Sequence, residues 1–143
     1  MNVRPVGATP VSNGTLARYL AGLAVGLLVV HGWTALVAEH HISVVSALLL
    51  AAVAAYVVVF LARNRAGINQ RAYGLYFVHV ATYLLINGSF WLYAGLLELT
   101  GNGAALNHGW AGPLYAMSIC WGIGLLVHTL GALFARGYES VEV

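Results

Sequence analysis

Four long apolar runs alternate with short polar breaks along the chain, at Leu16–Ala38, Ile42–Ala62, Ala72–Leu99 and Gly109–Ala135. Each reaches the roughly 20 residues that an α-helix needs to cross about 30 Å of hydrocarbon. Charge collects where the runs end. Arg4 and Arg18 accompany the start of the first run, Arg63, Arg65 and Arg71 separate the second from the third, and Arg136 follows the fourth. With an even number of spans these flanks share one side of the membrane, which the positive-inside rule makes cytoplasmic. The opposite side receives only Glu39, His40, His41, Glu98 and His108.

The pattern therefore predicts an all-α integral membrane protein of the plasma membrane, a four-transmembrane-helix bundle built of two hairpins with both termini cytoplasmic. A cytoplasmic tail over 1–15 is too poor in apolar surface to fold alone. The first hairpin spans 16–63, a basic cytoplasmic turn 64–71, the second hairpin 72–136, and a short tail 137–143. Ser12, Asn13 and Thr15 are cap-type residues that place the start of the first helix. The polar lead and the first apolar run are both longer than a secretory signal requires. Trp33, Trp91, Tyr93 and Trp110 fall toward the outer ends and read as interfacial aromatics.

Small residues mark where helices meet. Gly22 and Gly26 lie four apart on the first helix, and Ser43, Ala47, Ala51 and Ala55 form a ridge on the second. In lipid such spacing lets backbones approach closely, so these residues predict the seam of the first hairpin or of a homo-oligomer.

Composition narrows function. A chain of 143 residues, 61% hydrophobic and 7% charged, has room for one helical bundle and none for a soluble catalytic domain. The net charge of +2 comes from helix-flanking arginines and implies no nucleic-acid partner. A lone Cys120 excludes an internal disulfide. There is no metalloprotease pattern, phosphate loop, paired intramembrane acid or Ser, His and Asp arrangement, so no catalytic residue is assigned. Glu39, His40, His41, Glu98 and His108 are ligand types for zinc or copper, but their spacing resembles no dedicated metal site.

The second hairpin carries a more specific pattern. Arg71, His79, Tyr83 and Asn87 form a polar stripe of four- and eight-residue steps on the third helix, and Trp121, Gly122, Gly124 and His128 follow on the fourth. From Gln70 to Phe134 the chain resembles the 2TM domain family, a pair of transmembrane helices joined by a short linker. The resemblance rests on Tyr76-Phe77-Val78-His79, on the His79, Tyr83, Asn87 stripe, and on Trp121-Gly122-Ile123-Gly124-Leu125 with His128. It departs from the family at Cys120, where a glycine is expected, and in the extra hairpin that precedes it. The resemblance implies a fold for half the chain and no activity.

His79 lies eight residues after Arg71 and His128 eight before Arg136, so at 1.5 Å per residue both sit about 12 Å deep on antiparallel neighbours. The same count sets Tyr83 level with Gly124 and Asn87 level with Cys120. Three readings fit this ladder. The first is hydrogen-bonded glue within the bundle. The second is bis-histidine ligation of a b-type haem by His79 and His128, walled by Tyr83, Asn87 and Gly124, for electron transfer. The third is a quinone, lipid or proton-relay role. His31 lies deeper and reads as a satisfied polar contact at the Tyr83 or Asn87 level. The expected function is a non-catalytic accessory or interaction subunit of a larger respiratory or sensory membrane complex, with lipids and other membrane subunits as partners and no cofactor. The haem protein is the alternative.

Overall fold

The computed structural model describes residues 9–71, 73–106 and 108–135. Arg4, Arg136 and the 137–143 tail lie outside the described residues. The helices are α1 Asn13–Leu36, α2 Val44–Asn69, α3 Gly74–Leu99 and α4 Met117–Ala135; among the described residues four stretches are long and apolar enough to cross a membrane, α1, α2, α3 and Gly112–Gly131, which takes in the start of α4. Two 3₁₀ turns, Gly103–Ala105 and His108–Trp110, and a π-helical turn at Gly112–Ala116 lead from α3 into α4.

The starts of α1 and α2 follow from their caps. Ser12 accepts from the backbone N–H of Thr15 at 3.1 Å, satisfying one of the donors a helix leaves open at its first turn. At α2, Ser43 and Ser46 form a reciprocal capping box. The predicted cytoplasmic turn shrinks, because α2 continues through Arg63, Asn64 and Arg65 to Asn69. Asn64 donates to the Phe60 carbonyl at 2.8 Å and Ile68 is buried, which carries the helix past the apolar run. The true turn is abrupt. A Cβ on Gly74 would stand 2.2 Å from the Ile68 carbonyl oxygen, so only glycine fits there.

Helices α1, α2 and α3 form a three-helix core. Leu23, Leu27 and Val30 from α1 meet Val53 and Val57 from α2 and Val78, Ile86 and Phe90 from α3, all buried. The inward positions of α1 (16, 19, 23, 27, 30, 34) mix steps of three and four, and those of α2 (46, 53, 57, 68) fall at steps of seven, four and eleven, which are sums of threes and fours. That period keeps one stripe facing its neighbour as helices supercoil. Within the core, Tyr19 donates to Thr82 Oγ1 at 2.6 Å, while Thr82 in turn donates to the Val78 carbonyl. Thr34 and Ser46 share a bond of 3.2 Å between α1 and α2.

The architecture differs from a closed four-helix bundle. Among the described residues α4 packs on α3 and on the π turn that precedes it, and its backbone stays more than 8 Å from that of α1 and α2. About a third of the α3 span is buried, against 6% for α4. The α4 helix is therefore an outrigger on the far side of α3. Between α2 and the start of α4 a cleft of about 310 Å³ remains, floored by Val30 and Phe90 and flanked by Ala47, Ala116 and Met117.

The glycine half of the expected first seam sits at the α1–α2 contact, and the alanine half does not. Gly22 lies under Tyr56, whose hydroxyl would be 2.5 Å from an added Cβ, and Gly26 lies against Val53. Ala47, Ala51 and Ala55 are instead exposed. Strict four-residue steps drift about 40° around a helix each time, so this ridge turns away from α1 while Ser46, Val53 and Val57 face inward.

Candidate functional site

The seam between α3 and α4 gathers most of the polar residues singled out in the sequence. Tyr83 donates its hydroxyl proton to the Ser118 carbonyl at 3.2 Å and meets Trp121 edge to face, ring centres 6.2 Å apart. The Asn87 amide donates to the Tyr83 carbonyl at 3.1 Å, and its oxygen accepts from the Ser118 hydroxyl at 3.2 Å. Trp91 donates to the same hydroxyl oxygen at 3.1 Å. Ser118 is thus a node bonded to three residues of α3, and the sequence ladder had not placed it there. A serine on an apolar helix has no spacing partner to mark it.

The expected register is corrected by about two residues. Tyr83 meets Gly122, where an added Cβ would stand 3.4 Å from its hydroxyl, and not Gly124. Asn87 meets Ser118 and not Cys120. Cys120 and Gly124 are exposed on the outer side of α4, and nothing lies within 4 Å of a Cβ built on Gly124. The inward positions of α4 are 117, 118, 121, 122, 125 and 129. Stepping back by fours from His128 leaves that stripe.

The histidines do come together. The ring centres of His79 and His128 are 5.1 Å apart, their planes inclined by 38°. His79 is half-buried and His128 exposed. His79 donates from Nδ1 to the Leu75 carbonyl at 2.8 Å, which leaves Nε2 as the lone-pair nitrogen. With metal–nitrogen bonds of about 2 Å and about 1.1 Å from ring centre to nitrogen, imidazoles on opposite sides of one metal lie about 6.3 Å apart, and at a tetrahedral angle about 5 Å. The observed separation is near the second value and too short for the first. Tyr76 and Thr129 share a hydroxyl bond of 3.4 Å on one side of the pair, and Tyr83 with Gly122 closes the other. As packed, the seam does not fit a haem between these histidines.

A second cluster occupies the outer end of the core. His31 and Ser89 are joined at 2.9 Å. Because the Ser89 hydroxyl proton goes to the Ile86 carbonyl, its oxygen accepts from His31 Nε2–H, and Nδ1 is buried without a hydrogen-bond partner. His31 therefore joins α3 at Ser89, beyond the Tyr83 and Asn87 levels. Its ring contacts Phe90 and Tyr93, and the Tyr93 hydroxyl shares a bond of 2.7 Å with His40. Trp110 is 1% exposed, stacks on Tyr93 at 5.5 Å and donates to the His40 carbonyl at 2.9 Å. It is a core residue and not an interfacial one. His40 and Glu39 both take positive φ, 66° and 47°, in the turn that brings the His40 carbonyl to Trp110. Among the described residues no three His, Cys, Asp or Glu side chains gather as a metal site.

Compared with known proteins, the chain matches no family model, no curated protein and no solved structure.

Proposed function

We propose that this chain is a non-catalytic interaction subunit of a larger assembly in the plasma membrane, its arginine-bearing ends and both termini cytoplasmic. The reading is carried by the outward stripe of Ala47, Ala51 and Ala55 on α2. These residues are exposed amid large exposed side chains such as Val44, Leu48 and Val58. Small residues are of no use against fluid lipid, whereas they let a second helix approach the backbone. Ala47 also borders the cleft that separates α2 from α4, so a helix seated on the stripe has an adjoining recess for one of its side chains. Tyr83, Asn87, Trp91 and Ser118 of the α3–α4 seam are engaged with one another, as internal glue.

The test is a photoreactive amino acid placed at Ala51 in native membranes. A discrete cross-linked protein is expected, and Ala51→Leu should release that protein while the chain stays folded. Cross-links to lipid alone would overturn the reading. Cross-links between copies of the chain would replace a foreign subunit with a homo-oligomer.

A further inference from the structure

His79 and His128 stand apart from the satisfied polar seam around them. Tyr83, Asn87, Trp91 and Ser118 all find partners. His79 Nδ1 is committed to the Leu75 carbonyl. Among the described residues no hydrogen bond reaches Nε2 of His79 or either nitrogen of His128. The pair is therefore not bonded ring to ring, as simple glue requires. These nitrogens are not sealed within the fold, His79 being half-buried and His128 exposed, and ionisable groups within spans ordinarily mark a site.

Three features of the pair agree. Metal-bound histidines characteristically donate their other ring N–H to a backbone carbonyl or carboxylate, which fixes the tautomer and the ring, and His79 has that bond. The ring-centre distance of 5.1 Å is ordinary for two packed rings and also close enough for both imidazoles to reach one tetrahedral metal. The pair also lies five residues, about 8 Å, inside the start of α3 at Gly74, on the arginine-bearing side, with His128 exposed. An ion from the polar interface has a short path to it.

We propose that His79 and His128 together ligate a divalent transition-metal ion, with zinc the best match to paired imidazoles and a tetrahedral angle. No third His, Cys, Asp or Glu joins them among the described residues. The other two coordination positions are open to exogenous oxygen ligands such as water. The site is a two-residue clamp across α3 and α4, and a bound ion ties the outrigger helix to the core.

The experiment uses the full chain, purified in detergent with Cys120→Ala to remove its thiol, and Co²⁺ alone as the probe. The intense visible bands of tetrahedral Co²⁺ are expected, and Zn²⁺ should abolish them. His79→Ala and His128→Ala should each weaken binding by about tenfold or more, while His31→Ala and His40→Ala leave it unchanged. His128→Cys, which replaces one ligand by another, should keep the ion and add a thiolate-to-cobalt charge-transfer band, a signature that misfolding cannot produce. The weak spectrum of hydrated Co²⁺, or tetrahedral binding that survives the double alanine variant, would overturn the proposal.

Discussion

Ser118 on α4 donates its hydroxyl proton to Asn87 on α3 across 3.2 Å, and the same oxygen accepts from Trp91. Both side chains lie within helices of spanning length, where water is not at hand to replace a lost partner. Asn87→Leu and Ser118→Ala should each destabilise the α3–α4 hairpin. The double variant should lose less than the two losses added, by a coupling of about 0.6 to 1.7 kcal/mol. Unfolding titrations in mixed detergent provide the cycle. Strict additivity would show that the two residues do not share a bond.

Gly22 and Ala51 predict opposite responses to added bulk. Gly22→Ala places a methyl against the Tyr56 ring, which donates from its hydroxyl to the Tyr19 carbonyl at 3.1 Å. The variant should lose about 1 to 3 kcal/mol, and Tyr56→Leu should relieve most of that loss. Ala51→Leu, on an exposed position, should change the stability of the isolated chain by no more than about 0.5 kcal/mol. A large loss at Ala51 would place that residue inside the fold.

The proposed orientation rests on the placement of the arginines and is open to labelling. In a chain carrying Cys120→Ala, cysteines at Gly14 and Arg65 should be shielded from a membrane-impermeant reagent applied to intact cells. One at Asn102, in the loop between α3 and α4, should react. Arg65 is preferable to Gly67, where a side chain would meet the Thr9 carbonyl oxygen at 2.8 Å. External labelling at Arg65 would invert the topology.

Trp110 should behave as a core residue. It fills the space beside Phe90 and Tyr93, and Trp110→Ala should cost about 3 to 5 kcal/mol. Trp91→Ala, on a side chain 47% exposed, should cost clearly less. Thermal denaturation in one detergent compares them. Equal losses would argue that Trp110 sits at the interface as the sequence pattern alone implies.

The four spans were legible because apolar length is a direct consequence of bilayer thickness, and depth counting from Arg71 found the His79–His128 pair. Faces were harder. A ridge of fours, as in Ala47, Ala51 and Ala55, is visible to the eye, but a supercoiled seam needs threes as well, which is why Ser46 and Ser118 point inward and Gly124 outward. The closing of Trp110 over the core depended on a turn through positive φ at Glu39 and His40, neither of them glycine. That α4, among the described residues, packs on α3 and the π turn alone does not follow from helix length, which says nothing of how much of a helix must be covered.

The single seam holding α4 also bears on how the chain is made. As the chain emerges in order, α1, α2 and α3 can complete their mutual packing before the last helix enters the membrane. During that interval the α3 side of the later seam faces lipid. Asn87 is prepared for the wait, because its amide group is already bonded to the Tyr83 carbonyl on its own helix. Its oxygen remains to be met, and Ser118 arrives with α4 to meet it.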